Sequence, residues 1–315
     1  MLLAAEAARA SRVVRPPLGQ GSAENHEVPR PVAPYPSKVD SQPSADDVRP
    51  HLRRAAAIAD YEDDGRWAII GELQRRTDRT AFDAVGELAG SADPLERIVA
   101  LDVLAQIGYL AERPFLDETL PLLIDASHDT DADVIAAAVT ALGCLWNPRA
   151  LPAILRHTGH PSVNVRYSVA FAIPGAAGDP PSPHAIEALI ALSADPDGET
   201  RDWATFGLGS QFDGEDTDAI RDALAARLND PEGNISGEAL LGLALRRDPR
   251  ALPVLLACLD DDPGNLIVEA AAALGASEAL PALERLKREG WQLAEPRPSV
   301  LDDALRACAD PVTPS

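Results

Sequence analysis

The sequence predicts an all-α protein built as an α-solenoid, a superhelical array of about seven antiparallel helix pairs. Three observations favour this fold. A helical pattern recurs at a nearly fixed period, Asp-Pro dipeptides such as Asp195-Pro196 separate the helices, and 46% of the residues are hydrophobic while only 4% are aromatic. Short alanine-rich helices pack closely with such a composition, whereas sandwiches and barrels need β-branched and aromatic residues.

The period is set by the second helix of each pair. We number positions in this helix from its first core residue, which falls at Val99, Val134, Val165, Thr200, Ile235 and Leu266. The spacings are 35, 31, 35, 35 and 31 residues, which is typical of a solenoid of helical hairpins. Position +4 is small or β-branched and position +8 is aliphatic, as in Ala204 and Leu208. Position +9 is mostly glycine, which we interpret as a left-handed helix end.

This pattern divides the chain into four regions. Residues 1–46 are rich in proline and have no helical or strand period, so we predict a disordered tail. Residues 47–90 form an imperfect first repeat that caps the array, and residues 91–290 form the array itself. Residues 291–315 contain a capping helix, Ser299–Ala309, and a short tail.

Several local motifs resemble HEAT repeats, in particular the bacterial HEAT-like repeats also found in phycobilin lyases. They are the Asp-Pro turns, the pairs Val165-Arg166 and Thr200-Arg201, the Leu-Gly helix endings, and the Arg-Ala-Leu-Pro openings at Arg149 and Arg250. The resemblance extends over about residues 50–309. It implies a solenoid whose second helices line the concave side. It leaves the function open, because HEAT arrays serve as scaffolds, carriers, lyases and glycosylases.

The candidate binding surface lies on that concave side. At about 100° per residue, positions +2, +3, +6 and +10 of the second helices point away from the core and should be exposed and polar. In the middle of the array they are mainly aromatic, with a leucine in the next helix: Tyr167, Phe171, Trp203, Phe206 and Leu241. Exposed aromatic residues at this density usually mark a binding surface. The alternative is that the rings bury one another in a tight superhelix.

Carboxylates surround these rings in the sequence pattern: Asp202 at +2, and Asp102, Glu238 and Glu269 at +3. An aromatic floor with an acidic wall suits a segment that bears Arg or Lys, through charge pairing and cation–π contact. The alternative is that each carboxylate only solvates its helix face. We expect Arg166 and Arg201, at +1, to pair with carboxylates such as Asp195 and Asp230 along the array.

The net charge of −22 restricts the partners. Nearly all of this charge falls after residue 48, so the folded part repels phosphate backbones and anionic lipid. We therefore expect a basic or apolar protein or peptide partner, no nucleic acid and no membrane. Three distant cysteines, Cys144, Cys258 and Cys308, indicate buried thiols in a reducing cytoplasm. The 26 arginines against two lysines indicate a bacterial, GC-rich genome.

Catalytic and metal motifs are weak, and we assign no catalytic residue, metal or cofactor. The histidines form no HExxH motif, and His157 and His160 have no evident third ligand. Deoxyhypusine hydroxylase repeats His-Glu pairs, whereas this chain has only His26-Glu27, in the tail. HEAT-like DNA glycosylases line their concave side with basic residues, which the acidic charge here opposes.

The leading hypothesis is a non-enzymatic interaction module or scaffold that binds a basic or amphipathic partner on its concave face, with a monomer favoured. A second hypothesis is a lyase-type enzyme or carrier that holds a small planar ligand on the same aromatic surface, with Asp202 as acid or base. A third is an acidic inhibitor, such as an immunity protein against a basic nuclease toxin.

Overall fold

The structure, a computed structural model, describes residues 48–58, 60–61, 63–260, 263–291 and 300–309. Within these ranges the regular structure is entirely helical and comprises sixteen α-helices. They are α1 (Arg49–Ala56), α2 (Asp64–Gln74), α3 (Arg79–Ala89), α4 (Pro94–Leu104), α5 (Leu116–Ala126), α6 (Ala132–Cys144), α7 (Leu151–Leu155), α8 (Val163–Ala176), α9 (Pro183–Leu192), α10 (Gly198–Phe206), α11 (Asp218–Ala225), α12 (Gly233–Leu245), α13 (Ala251–Leu259), α14 (Asn265–Leu274), α15 (Leu280–Glu289) and α16 (Val300–Ala309). The predicted tail, residues 1–46, lies outside the described residues.

Consecutive helices from α3 to α16 pack as seven hairpins, and α1 packs on α2 ahead of them. This arrangement confirms the predicted all-α solenoid. The last helix, Val300–Ala309, agrees with the predicted Ser299–Ala309. In addition to the α-helices there are 3-10 turns at Tyr109–Ala111, Pro148–Ala150 and Ser277–Ala279, and α10 continues into a π-helical turn at Gly207–Gln211.

Aspartates start many of these helices because their side chains cap free backbone N–H groups. At α10, Asp197 Oδ2 accepts hydrogen bonds from the Thr200 backbone N at 2.8 Å and from the Thr200 hydroxyl at 2.7 Å. Asp78 caps α3 and Asp131 caps α6 in the same manner. The acidic turns of the sequence therefore have a structural use as helix starts.

The predicted register of the second helices is confirmed by burial. The first core position is at most 1% exposed in five of the six helices, and half-buried only at Leu266. Every +4 residue is fully buried, and so are most +8 residues, including Leu208. Small residues at +4 allow neighbouring helices to approach, and the aliphatic residue at +8 fills the space between repeats.

The glycines at +9 have two different roles. Gly108 and Gly275 adopt left-handed conformations, with φ of 69° and 62°, as predicted. Gly143 instead lies inside α6, where the backbone of α8 passes so close that an added Cβ would stand 2.5 Å from Ala172 Cα. Gly209 lies inside the π-helical turn, where an added Cβ would stand 3.0 Å from the Glu238 backbone oxygen. At Gly143 and Gly209 the left-handed interpretation is wrong, and glycine is needed there for close approach.

The array curves toward its second helices. Neighbouring second helices contact one another much more extensively than neighbouring first helices do. The second helices α4, α6, α8, α10, α12, α14 and α16 therefore form the inner layer. This places the +2, +3 and +6 positions where side chains from adjacent repeats meet.

Candidate binding surface

The predicted aromatic residues come together across α8 and α10. Trp203 is the centre of the cluster, since its ring lies edge-on to Phe171 at 5.1 Å, to Phe206 at 5.6 Å and to Tyr167 at 6.5 Å between ring centroids. The Trp203 indole Nε1 also donates a hydrogen bond to the Tyr167 hydroxyl at 3.1 Å. These edge-to-face contacts are favourable arrangements of aromatic quadrupoles.

The expectation that this face is solvent-exposed is wrong for its central members. Trp203 is 4% exposed, Phe206 2% and Leu241 6%, whereas Tyr167 and Phe171 are half-buried. The rings pack on one another because adjacent second helices lie close on the inner side of the curve. Tyr167 and Phe171 therefore form the accessible edge of the cluster, and their role in binding stays a prediction.

The predicted carboxylates are also less exposed than expected. Asp102 is 8% exposed, Asp202 5% and Glu238 2%, while Glu269 is half-buried. The alternative that each carboxylate only solvates its helix face therefore does not hold for Asp102, Asp202 and Glu238. Glu238 Oε2 accepts a hydrogen bond from the Ser210 hydroxyl at 3.0 Å. We call Tyr167, Phe171, Asp202, Trp203, Phe206, Glu238 and Leu241 together the central surface.

Asp102 belongs to a separate arrangement near the start of the array. The Arg66 guanidinium on α2 pairs with it at 2.8 Å between Nη2 and Oδ2, and the Tyr61 hydroxyl donates to Oδ1 at 3.1 Å. Arg66 Cζ lies 4.4 Å from the Tyr61 ring centroid and 5.3 Å from that of Trp67. We call Tyr61, Arg66, Trp67 and Asp102 the Arg66 layer. Asp102 is thus distant from the predicted aromatic floor in the sequence of repeats.

Burial controls the electrostatics of the Arg66 layer. The side chains of Arg66 and Asp102 are 4% and 8% exposed. Desolvation raises the pKa of Asp102 above its usual range, although the Arg66 charge and the hydrogen bonds from Arg66 and Tyr61 act in the opposite direction. Desolvation, followed by the Asp102 charge, also raises the pKa of Tyr61. Arg66 was missed as a functional candidate, although its place beside Trp67 on a core-facing helix was a usable signal.

A second buried arginine supports the loop behind the central surface. Arg246 is 5% exposed and donates five hydrogen bonds of 2.6–3.2 Å to backbone carbonyl oxygens, those of Leu208, Gly209, Phe212, Glu215 and Gly242. These acceptors include carbonyls that the π-helical turn leaves outside regular helix pairing. Burial lowers the pKa of Arg246. No residue pattern indicates this role of Arg246, because the acceptors are backbone atoms.

The ion pairs expected along the array are confirmed. Arg166 binds Asp195 through Nε at 2.7 Å and Nη2 at 3.0 Å, and Arg201 binds Asp230 through the same atoms at 3.0 and 3.1 Å. Both arginines therefore link one repeat to the next. The candidate binding surface therefore consists of the residues at +2, +3 and +6, and the arginines at +1 are not part of it.

The cysteines and the described histidines were the remaining candidates for a metal site. Of the three cysteines predicted to be buried, Cys308 is buried, whereas Cys144 and Cys258 are half-buried. His157 and His160 lie with their rings 5.9 Å apart. The described part of the chain holds no group of three or more His, Cys, Asp or Glu side chains placed to bind a metal. None of its helices has the length and apolar character to cross a membrane.

These features define a class of protein: an α-solenoid of antiparallel helix pairs whose second helices contact one another along the inner layer. Comparison with known proteins identifies the family. The family model for HEAT repeats matches residues 120–209 and 186–275. Protein YibA of Escherichia coli strain K12 is 32% identical over 226 residues, which cover 68% of this chain and 76% of YibA. The chain belongs to the HEAT-repeat family.

Solved structures agree with this assignment. The X-ray structure of E. coli YibA matches with a TM-score of 0.62 at 25% identity, over 87% of this chain and 99% of that chain. A chain in the structure of Kap95p with RanGDP matches with a TM-score of 0.61 at 16% identity, over 87% of this chain and 42% of that chain. The latter likeness shows the fold alone.

Proposed function

We propose that the protein is a non-enzymatic interaction scaffold that binds a basic or amphipathic segment of a partner protein on its central surface. The observation that carries this proposal is the juxtaposition of a four-ring aromatic cluster with carboxylates of low exposure on adjacent inner helices. Asp202 lies on α10 with Trp203 and Phe206, and Glu238 lies on the neighbouring α12. HEAT repeats commonly bind proteins, and Kap95p, which shares the fold, binds RanGDP.

The negative charge of the central surface determines that the partner segment carries positive charge. The carboxylates Asp202, Glu238 and Glu269 make this part of the inner face acidic, which favours approach of a cation with hydrogen-bond donors. Aromatic rings beside it attract the same cation through their quadrupoles. The chain as a whole carries −22, so long-range attraction also favours a basic segment.

The accessible edge of the surface determines where the segment lies. Tyr167 and Phe171 on α8 and Glu269 on α14 are half-buried and mark two ends of a path across the inner helices. Apolar side chains of the segment contact the ring edges, and its basic side chains reach the carboxylates. The partner is cytoplasmic in this proposal, and the scaffold acts as a monomer.

Isosteric neutralisation of the acidic wall tests the proposal. The affinity of a synthetic basic amphipathic peptide is measured by titration calorimetry for the wild type and for Glu238→Gln/Glu269→Gln. Glutamine keeps the size of each side chain and an acceptor for Ser210, so folding is preserved while the charge is lost. We expect at least about a fivefold loss of affinity, corresponding to roughly 1 kcal/mol.

The matched control removes the same charge from the first helices. Glu187 on α9 and Glu289 on α15 are exposed, so Glu187→Gln/Glu289→Gln has the same net charge as the test variant. A specific surface keeps the wild-type affinity in this control. Equal losses in both variants mean that the peptide responds only to net charge, and this result contradicts the proposed site.

A further inference from the structure

One turn of the array carries a histidine where the neighbouring turns carry an aspartate or a serine. In these turns, which precede second helices, one side chain accepts a hydrogen bond from the backbone N–H two residues further on. The bonds run from Asp93 to Ser91 at 3.2 Å, from Asp131 to Asp129 at 2.8 Å, from Asp197 to Asp195 at 2.9 Å and from Glu232 to Asp230 at 3.3 Å. Before α8 the acceptor is His160, whose Nδ1 lies 3.1 Å from the Ser162 backbone N. Because a backbone N–H only donates, this contact requires an unprotonated Nδ1.

The same turn interrupts the series of ion pairs between repeats. An arginine six residues after one turn residue binds the carboxylate of the next turn. These pairs are Arg97 with Asp129, Arg166 with Asp195 and Arg201 with Asp230, at distances of 2.7–3.1 Å between guanidinium nitrogen and carboxylate oxygen. On α6 the equivalent position is Ile135, and the next turn residue is His160. An isoleucine and an imidazole therefore stand at this junction where the neighbouring junctions have an arginine and a carboxylate.

Two further histidines lie at this junction. His128 follows α5, and its ring Nδ1 donates to the Ile124 backbone oxygen at 2.8 Å while Nε2 accepts from Arg156 Nη1 at 2.6 Å. A carbonyl only accepts and a guanidinium only donates, so this arrangement requires a neutral ring. His157 follows α7, with its ring 5.9 Å from that of His160 and its Nε2 atom buried without a hydrogen-bond partner among the described residues. All three rings therefore lie in places that suit the neutral imidazole.

Protonation of these rings opposes the local structure. Desolvation, followed by the charges of His160 and Arg156, lowers the pKa of His157, and a hydrogen bond with the Ser127 backbone acts in the opposite direction. The contribution of His157 to stability is therefore present above the ordinary histidine pKa of about 6.5 and is lost as the pH falls. A proton on His160 Nδ1 removes the acceptor of the Ser162 N–H. It also places a cation at the N-terminus of α8, where the helix dipole is unfavourable to it.

Two cations contact these histidines directly. Arg156 binds the His128 ring, and Arg166 Nη1 donates to the His160 backbone oxygen at 2.9 Å. The nearby carboxylates are engaged with other groups or solvated: Asp129 pairs with Arg97, Asp131 caps α6, Asp133 accepts from the Asn164 amide, Asp195 pairs with Arg166, and Asp125 is exposed. Each proton added to the three rings therefore introduces positive charge beside an existing cation.

We propose that His128, His157 and His160 form an acid-sensitive joint between the α5–α6 and α7–α8 repeats. At neutral pH the unprotonated rings hold the turn before α8, and protonation between about pH 7 and pH 5 releases the Ser162 N–H and loosens the first turn of α8. Helices α5 and α7 make few direct contacts with each other, so these turns are a main part of the outer connection between the two repeats. Carboxylates stay ionised in this range, so the turns at Asp195 and Asp230 keep their acceptors. The joint is independent of what the central surface binds.

Amide hydrogen exchange of the full chain, measured by mass spectrometry at pH 7.5 and pH 5.5, tests the joint. Exchange times are scaled for the intrinsic pH dependence of exchange, and the readout is the protection of the amides at residues 160–166. We expect this protection to fall at least about fivefold at pH 5.5, which corresponds to roughly 1 kcal/mol, the usual net contribution of one hydrogen bond. The equivalent amides at residues 195–201 are the internal control and should keep their protection. Equal changes at both turns, or no change at residues 160–166, overturn the proposal.

Two variants assign the loss of protection to His160. His160→Asn places an amide oxygen near the position of Nδ1 and does not titrate, and His160→Asp supplies the acceptor found in the neighbouring turns. Loss of the pH effect in either variant supports the assignment, and a wild-type effect in both overturns it. The matched control His184→Asn removes an exposed histidine of α9 and should keep the wild-type response. Circular dichroism at both pH values checks that each variant is folded.

Discussion

The Arg66 layer and the central surface are two solutions for carboxylates on the inner face of one solenoid. Both contain an edge-to-face Tyr–Trp pair, but the Trp67 indole donates to the Tyr61 backbone oxygen at 2.7 Å, whereas the Trp203 indole donates to the Tyr167 hydroxyl at 3.1 Å. In the Arg66 layer the chain supplies the guanidinium from its own helix α2. The difference teaches that position +3 of the second helices serves internal charge pairing at Asp102 and, in our proposal, partner recognition at Glu238.

The largest effect is expected from breaking the Arg66 layer. Arg66→Ala leaves the Asp102 carboxylate 8% exposed without its cation, and loss of one partner of a buried ion pair destabilises by about 3–5 kcal/mol. Arg66→Lys should recover only part of this, because an ammonium cannot lie flat between the Tyr61 ring and the carboxylate. Urea unfolding gives the free energy of unfolding of each variant.

The control for this prediction removes both charges. Arg66→Met/Asp102→Leu replaces the pair with apolar side chains of similar size, and it should be much less destabilised than Arg66→Ala. A loss below about 1 kcal/mol in Arg66→Ala would show that the pair contributes little to folding. Full recovery by Arg66→Lys would show that the planar guanidinium is not required in this layer.

The next largest effect on stability is expected from creating a cavity beneath the central surface. Leu208 is fully buried at position +8, within the π-helical turn that follows α10. Leu208→Ala should reduce the free energy of unfolding by about 2–5 kcal/mol through the cavity that it leaves between repeats. Because contacts lie mostly between neighbouring repeats, the melt should also lose cooperativity. A melting temperature within a degree of wild type would contradict the register.

The contrast between these regions also shows what the sequence could predict. The sequence period predicts the helices, the register of Leu208 and the ion pairs of Arg166 and Arg201. Each of these follows from spacing within one repeat or between adjacent repeats. The predicted exposure of Trp203 and Phe206 is wrong, because a helical wheel treats one helix alone and ignores the neighbouring helix that packs against it. Arg246 binds backbone oxygens, which no residue pattern reports. Arg66 stands beside Trp67 in the sequence, but its pairing with Asp102, 36 residues away, depends on how the helices pack.

Lowering the pH should change the stability contributions of Asp230 and Asp102 in opposite directions. The Arg201 hydrogen bonds lower the pKa of Asp230, so its stabilisation is present above the usual carboxyl range and is lost as the pH falls through the lowered pKa. Burial raises the pKa of Asp102, so its ionised form opposes folding and protonation relieves that penalty. Among the described residues, more aspartates have lowered pKa values than raised ones, so the melting temperature should fall below about pH 4.

Two amide variants separate these contributions. Asp230→Asn should flatten the decline of the melting temperature between pH 5 and pH 3, because one favourable carboxylate no longer titrates. Asp102→Asn should make the decline steeper, because the opposing group is removed, although the variant is less stable at every pH. The slopes are read from thermal melts. An identical slope in both variants would contradict the assigned directions.

The smallest effect concerns the single hydrogen bond that distinguishes the two Tyr–Trp pairs. A double-mutant cycle of Trp203→Phe with Tyr167→Phe should give a coupling energy of about 0.5–1.5 kcal/mol, the usual net contribution of one such bond. The same cycle with Trp67→Phe and Tyr61→Phe should give a coupling near zero, because the Trp67 indole donates to a backbone oxygen that Tyr61→Phe retains. Equal coupling in both cycles would mean that ring packing, rather than the phenol hydroxyl, holds Trp203 in place. The central surface would then tolerate Tyr167→Phe without any change in the position of its main ring.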